Sequence, residues 1–204
     1  MKNIITLLVL TLLSCKKQNE IETGFNKIDE KFADRNYLIN KIEPDKNYPY
    51  WQYVKATPGL KNKDESIIKQ SGDTLLRNKY KIINPKRGFF VECQPAICYS
   101  FIAYIQNDKV NYITDEKELK RFIGNINSLE EAMLIAKING LWFDSEDMIG
   151  GSYKKIENGY ELYLKKSYDC PIKFESVKTK IDSVGNLSSK SNGIYFESED
   201  CIVF

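Results

Sequence analysis

Two helix-start signals lie between long runs of strand-forming residues, and this order restricts the fold more than any other feature of the chain. The first signal begins at Asp115 and the second at Ser128, and in each a glutamate follows three positions later. This spacing is typical of a capping box, in which two side chains bind the free backbone N–H groups of a helix start. A glycine at a distance suited to a helix end follows each signal. The sequence therefore predicts helices near residues 115–123 and 129–139.

The flanking runs carry the apolar and β-branched residues that favour strands. The dipeptide Asn158-Gly159 between two such runs is a strong short-range hairpin signal. Strands are predicted at 74–83, 89–93, 97–106, 110–114, 151–156, 160–168, 172–182, 194–197 and 202–204, with a charged loop at 60–73. Strands, then two helices, then more strands indicate an α+β fold, an antiparallel sheet with two or three helices packed on one face.

The segment before this pattern contains one more helical periodicity and one aromatic cluster. Apolar residues at positions such as Phe25, Ile28 and Phe32 predict an amphipathic helix that ends before Pro44. The helix packs on the domain or lies on a membrane, although its acidic residues argue against anionic lipid. The aromatic cluster at 48–53 is interpreted mainly as a core strand, and a stacking surface for sugars or peptides is the alternative.

The overall composition excludes several function classes. The 204 residues include 30 Lys and Arg, 28 Asp and Glu, and no His, and 42% of them are hydrophobic. A chain of this composition can bury a core. Its net charge of +2 gives no strong field, so nucleic acid is not an expected partner. Without histidine there is no Ser-His-Asp or Cys-His nucleophile and no histidine metal ligand.

The first fifteen residues have the organisation of an export signal. A positive start at Lys2 is followed by an uncharged apolar run at 4–13 and then by Ser14, Cys15 and Lys16. The run is too short to cross a bilayer, which needs about 20 apolar residues, but it has the length of a signal-peptide core.

This arrangement resembles the signal peptide and lipobox of bacterial lipoproteins. In that family the cysteine thiol receives a diacylglyceryl group, the chain is cut before it, and the new amino group is usually acylated. The resemblance covers residues 1–15 and implies that Cys15 is lipidated and that residues 1–14 are removed. Leu13 departs from the family pattern, in which a smaller residue is commoner.

The residue after the cysteine bears on localisation. In lipoproteins an aspartate there favours retention in the inner membrane, so Lys16 implies the outer membrane of a bacterial cell envelope, on its periplasmic or its surface face. The richness in lysine, asparagine and isoleucine is typical of A/T-rich genomes such as those of Bacteroidota-type bacteria. The resulting organisation is a signal peptide at 1–14, an anchor, tether and possible amphipathic helix at 15–44, and a single α+β domain at 45–204.

Four cysteines remain after Cys15. They are Cys93, Cys98, Cys170 and Cys201. An even number in an oxidising compartment predicts two disulfides with three possible connectivities, and we favour Cys93–Cys98 with Cys170–Cys201. A four-cysteine metal site is not favoured, because 170 and 201 are too far apart in sequence for a close ligand pair.

Three candidate motifs for chemistry are weak. Ser152 with Lys155 has the S-x-x-K spacing of serine acyl-enzymes, but a strand places these side chains on opposite sides. Tyr37 with Lys41 has a dehydrogenase spacing, but the chain has no glycine-rich dinucleotide loop. The acidic residues at 144–147 are calcium-ligand types without EF-hand spacing. No catalytic residue, cofactor or metal site is predicted.

These features favour a lipid-anchored envelope protein that acts as a non-catalytic binding or accessory module. Its partners are the membrane, through the lipid on Cys15, and a protein or glycan ligand that the sequence does not identify. The alternatives are an inhibitor or immunity-type envelope protein and a carboxylate-based hydrolase, which would need two acids close together in a cleft. A concave pocket lined by Tyr50 and Trp51 would favour ligand binding.

Overall fold

A computed structural model describes residues 20–57, 66–93 and 97–202, and in these residues the chain forms two antiparallel sheets and four α-helices. The strands are β1 (Asn26–Lys27), β2 (Tyr50–Ala56), β3 (Ser66–Gly72), β4 (Phe89–Glu92), β5 (Cys98–Gln106), β6 (Lys109–Ile113), β7 (Gly151–Ile156), β8 (Gly159–Asp169), β9 (Ile172–Asp182) and β10 (Leu187–Glu197). The α-helices are α1 (Arg35–Ile39), α2 (Thr74–Lys79), α3 (Glu116–Ile123) and α4 (Leu129–Ile138), and a 3₁₀ helix spans Glu30–Ala33. The predicted α+β class with antiparallel pairing is confirmed.

Sheet 1 contains the strands of the first half of the chain. Its order is β3-β2-β5, and both β4 and β6 pair with the other edge of β5. The residues of the central strands β2 and β5 belong alternately to the main core and to a second hydrophobic cluster, so both faces are covered and nearly every residue of the two strands is buried. Such continuous apolar runs are typical of strands that lie inside a protein rather than at its surface.

Sheet 2 has the order β1-β7-β8-β9-β10 and is made mainly of consecutive hairpins. The first hairpin closes through Glu157 and Asn158, since Ile156 pairs directly with Gly159. Gly159 has a φ of 115°, a conformation that L-residues with a Cβ rarely adopt. The Asn-Gly signal therefore marks the correct hairpin, with the glycine as the first residue of the return strand.

The two capping boxes begin the two longest helices, as predicted. The Asp115 carboxylate accepts the N–H of Glu118 at 2.8 Å, and the Ser128 hydroxyl accepts the N–H of Glu131 at 3.2 Å. The α4 helix is buried around most of its circumference, and Ala132 and Met133 are completely buried. A single core joins α3 and α4 to residues of both sheets. The packing of the helices on one face stays a prediction.

Several local predictions are wrong, and in the first three a helix cap or the pairing with a distant strand overrides the residue pattern. The predicted strand at 74–83 begins as helix α2, since the Asp73 carboxylate caps it by accepting the N–H of Leu75. The predicted loop at 60–73 contains β3, which forms by pairing with β2; residues 58–65 lie outside the described residues.

The predicted long helix from Phe25 is instead β1, a 3₁₀ helix and α1, because Asp29 and Asp34 each cap a new element. Apolar residues of this segment, among them Leu38, lie in the shared core of both sheets. At the other end of the chain, β10 begins at 187 rather than 194, and Ile202 follows it outside any strand, while 203–204 lie beyond the described residues.

The favoured disulfide pairing is confirmed. Cys93 is bonded to Cys98 between β4 and β5 in sheet 1, and Cys170 is bonded to Cys201. The second bridge ties the turn between β8 and β9 to the segment after β10. Within the described part of the chain, no helix has the length and apolar character that crossing a membrane requires.

Candidate functional site

A groove of about 450 Å³ lies between the 42–48 loop and the adjoining strands of sheet 1. Trp51 of β2, Lys69 and Ser71 of β3, and Tyr48 at the end of the loop line it. Trp51 and Ser71 are directly opposite in the register of the two strands, and residue pairs in register share a face. The groove is therefore built on paired strands, which hold its lining side chains in fixed relative positions.

Lys69 fixes one wall of this groove. Its ammonium group donates hydrogen bonds to the carbonyl oxygens of Asn40, at 3.0 Å, and Ile42, at 2.5 Å. It also lies 5.6 Å from the centroid of the Trp51 ring, within range of a cation–π interaction. Burial lowers the pKa of Lys69, while the nearby carboxylates of Glu43 and Glu131 act in the opposite direction.

A buried carboxylate fixes the other side of the 42–48 loop. Glu131 of α4 is 1% exposed and accepts the N–H groups of Glu43 at 3.0 Å and Asn127 at 2.8 Å. Burial raises the pKa of Glu131, and these N–H groups reduce the increase. Asp45 accepts the N–H of Asn125 at 2.7 Å. The loop is therefore attached to the helical layer, and the groove is formed before any ligand arrives.

The aromatic cluster at 48–53 is core, as its main interpretation predicted. Tyr50 and Tyr53 are completely or almost completely buried, and burial raises the pKa of Tyr53 to about 12. Trp51, 3% exposed, contacts Phe122 edge to face and forms part of the groove floor. Tyr50 is not among the groove residues, because its hydroxyl points to Gln52 on the other face of β2. The groove therefore presents mostly polar and charged groups around a small aromatic floor.

The acidic residues at 144–147 form a structural turn rather than a cation site. One oxygen of Asp144 accepts the N–H groups of Glu146 at 2.9 Å and Asp147 at 3.3 Å. The other oxygen accepts the Tyr195 hydroxyl at 2.8 Å and lies 3.9 Å from the ammonium of Lys165. Burial favours the protonated carboxyl, but these donors outweigh it and hold the pKa of Asp144 below its usual value.

The two enzyme-like spacings do not form sites. Ser152 and Lys155 lie in β7 with Ser152 buried and Lys155 exposed, as expected for opposite sides of a strand. Tyr37 donates its hydroxyl to Glu130 at 2.9 Å, while the Lys41 ammonium lies over the Tyr37 ring. Neither pair resembles a nucleophile beside its base.

Sequence reasoning missed a cluster of cations around Phe90. Arg35 forms a two-point ion pair with Glu92, and its guanidinium lies 5.3 Å from the Phe90 ring centroid. Lys137 approaches the same ring and lies 4.6 Å from the Trp142 ring centroid. Phe90 has a φ of 50°, which is unusual for a residue with a side chain. The cluster joins three distant parts of the chain, so no local pattern could indicate it.

The described chain begins with a segment that crosses sheet 2, here called the N-terminal strap (residues 20–25). The Glu20 carbonyl accepts the Asn192 side chain of β10 at 3.4 Å, and the Glu22 carboxylate lies 2.5 Å from the Lys178 ammonium of β9. Phe25 then packs edge to face on Tyr163 of β8, with ring centroids 4.8 Å apart. The strap therefore traverses the sheet from its free edge to β1, which pairs with β7.

Cys15, the predicted lipidation site, lies outside the described residues. Within them, no group of three or more His, Cys, Asp or Glu side chains is placed to hold a metal ion. Comparison with family models, with curated proteins and with solved structures found no match.

Proposed function

We propose that the protein is a lipid-anchored lipoprotein of the bacterial outer membrane whose domain serves as a non-catalytic binding or accessory module. The anchor is a lipid on Cys15 and the ligand site is the groove beside Trp51. The observation that carries the proposal is the strap, because Glu20, only five positions after Cys15, contacts Asn192 of β10. A chain attached at Cys15 would hold the folded domain directly at the membrane.

The two cystines support an extracytoplasmic location. Disulfides form and persist in secreted and envelope proteins and are rare in a reducing cytosol. Both bonds join segments of the described fold, at Cys93–Cys98 and Cys170–Cys201. A protein that uses two such bonds suits the compartment to which a signal peptide would deliver it.

The groove supports a binding role because it is preformed and polar. Lys69 and Glu131 hold its walls through backbone groups, so these two charges are already used for structure. Lys46, Asn47 and Ser71 are exposed at its rim and are available for hydrogen bonds with a ligand. Such a site suits a small polar segment of a glycan or of a protein.

Lipidation is tested by replacing the cysteine. Cys15→Ser should abolish incorporation of labelled fatty acid and should move the protein from the membrane to the soluble fraction. Ser14→Ala is the matched control, because it keeps a small residue before the cysteine and should preserve both properties. Membrane retention of the Cys15→Ser protein at the level of the unchanged protein would refute the lipid anchor.

Binding at the groove is tested by filling it. Ser71 is exposed on β3, so Ser71→Trp should block the groove without disturbing the core, whereas Glu157→Trp places the same side chain in the exposed turn between β7 and β8 of sheet 2. Fluorescent cell-wall glycan fragments and peptide arrays are the probes. We expect at least tenfold weaker binding of the recognised probe in the Ser71→Trp protein only. Equal binding by both variants would exclude the groove, and turnover of a glycan probe would favour the hydrolase alternative.

A further inference from the structure

We propose that the face of sheet 2 crossed by the strap rests on an anionic phospholipid surface, which would orient the domain as well as tether it. This inference depends on the lipid anchor proposed above and adds a second membrane contact to it. The surface is called here the strap face.

The pairing register defines which side chains belong to the strap face. Tyr163, which Phe25 of the strap covers, is directly opposite Lys178, and Lys178 is directly opposite Lys190. The next row contains Glu161 opposite Lys180. Because side chains alternate between the faces of a strand, rows two residues apart lie on the same side. The other face of the sheet carries the buried residues of the core.

The length of chain before the strap places this face close to the membrane. Five residue steps separate Cys15 from Glu20, and a fully extended chain spans at most about 3.6 Å per residue, which gives roughly 18 Å. Glu20 contacts Asn192 at the free edge of sheet 2. A lipid on Cys15 therefore keeps the β10 side of the strap face within about 18 Å of the bilayer surface.

The strap face has an excess of basic side chains on β9 and β10, the strands nearest to the proposed anchor. On these two strands the strap face carries Lys178, Lys180 and Lys190 against a single acidic side chain, Asp182. Over the whole face, with Asp144 and the strap residues Glu20 and Glu22 included, these lysines and Lys27, Lys154 and Lys165 are balanced by six acidic side chains, of which the others are Glu161 and Asp169. Asp144 lies near Lys165 and Glu22 near Lys178, so these pairs are internally balanced. Lys180 and Lys190 are exposed, and with Glu161 they border one shallow depression. Basic residues at this position attract a negatively charged leaflet.

An exposed aromatic residue accompanies these lysines. Phe196 of β10 is 45% exposed and stacks on Phe174 of β9, with ring centroids 4.9 Å apart. It lies four positions beyond Asn192 on the same strand, or about 13 Å at the usual rise of a strand. Apolar rings near basic residues are the groups that enter the boundary between lipid headgroups and acyl chains. Phe196 is therefore the expected point of insertion.

Tryptophan reporters in the acylated protein test the orientation. Phe196→Trp places a reporter on the strap face, and Leu75→Trp places one on the exposed surface of α2 beside sheet 1, where Leu75 is 72% exposed. Each variant is reconstituted into vesicles of brominated phosphatidylglycerol and phosphatidylethanolamine, and the signal of the unsubstituted protein is subtracted for Trp51 and Trp142. We expect at least twofold stronger quenching at position 196 than at position 75.

The role of charge is tested in the same system. Lys180→Glu combined with Lys190→Glu, in the Phe196→Trp protein, should lower quenching at 196 to the level at 75, and so should vesicles of zwitterionic lipid alone. Equal quenching at the two reporter positions, or quenching at 196 that survives the charge reversal, would overturn the orientation.

Mass spectrometry of the peptide beginning at Cys15 separates the two proposals. An acylated peptide together with equal quenching would reject the membrane-facing surface and leave the anchor intact. An unmodified peptide would reject the anchor and, with it, the argument that brings this face to the membrane.

Discussion

The two sheets differ in how their faces are covered. In sheet 1 the central strands are covered on both faces, and a second small cluster on the side away from the main core contains Val54, Ala56, Tyr99, Phe101 and Ala103. In sheet 2 one face joins the main core, and the other is covered only locally, by the strap and by the 144–150 loop. The central strands of sheet 1 therefore lie inside the protein, whereas sheet 2 lies at its surface.

This difference determines which sheet has side chains free to bind a partner. A strand covered on both faces has no side chains free for a partner, so sheet 1 contributes to binding only at its edge, in the groove beside Lys69. A sheet with one open face can present alternating polar residues to solvent or to a surface. Sheet 2 presents lysines and Phe196 in this way.

The largest effect that distinguishes the sheets should come from removing a matched phenylalanine from each. Phe101 of β5 is completely buried, whereas Phe196 of β10 is 45% exposed. Phe101→Ala should lower the free energy of unfolding by about 3–5 kcal/mol, because it leaves a cavity in the second cluster. Phe196→Ala should lower it by less than about 1 kcal/mol, since a partly exposed ring buries less area.

Urea denaturation of the two variants measures this difference, and Phe101→Leu is the control that keeps most of the apolar volume. Similar losses of stability in the two alanine variants would show that the open face of sheet 2 is in fact covered in solution.

The second comparison uses the two cystines, one at each sheet. Cys170–Cys201 closes a sequence separation of 31, and Cys93–Cys98 closes a separation of 5. In the chain-entropy model the stabilisation grows with the loop, to about 4 kcal/mol for the long loop and about 2 kcal/mol for the short one. Removing the bridge of sheet 2 should therefore be the more destabilising change.

The test replaces both cysteines of one bridge by serine, so that no free thiol remains, and compares the unfolding free energies of the two double variants. A greater loss from Cys93→Ser with Cys98→Ser would indicate that the short bridge holds β4 and the Arg35–Glu92 pair in place, rather than acting through loop entropy alone.

The sequence predicted the second half of the fold well because its signals are local. The helices after Asp115 and Ser128 and the hairpin at Asn158 depend on residues within four positions of each other. The region 60–83 was predicted poorly because β3 forms only through its pairing with β2. There a single cap, at Asp73, also decides between helix and strand.

The candidate site shows the same limit. Trp51 could be proposed from the aromatic cluster at 48–53. Lys69 could not, because its role depends on the carbonyl oxygens of Asn40 and Ile42, which lie 29 and 27 positions away. The strap was equally hidden, since the contact between Glu20 and Asn192 spans 172 positions. Contacts of this range are set by the assembled fold and leave no pattern in a short window of sequence.

The smallest expected effect is a change in how the free energy of unfolding depends on pH. It is measured for one buried carboxylate beside each sheet, Asp144 at sheet 2 and Glu131 beside the groove of sheet 1. The pKa of Asp144 is lowered in the folded protein, so its stabilisation is present above the unfolded pKa near 3.8 and is lost as the pH falls through the folded value. The pKa of Glu131 is raised, so its contribution is present below about pH 4.5 and is lost as the pH rises through the folded value of the pKa.

Asp144→Asn should therefore lower the free energy of unfolding by about 1–2 kcal/mol at neutral pH and by progressively less in acid. In the unchanged protein Glu131 lowers the stability as the pH rises, and Glu131→Gln should remove this loss. The variant should therefore gain stability relative to the unchanged protein as the pH rises from 4 to 7. Urea unfolding at several pH values measures both, and parallel pH trends in the two variants would contradict the assignment, because the two carboxylates would then share one kind of environment.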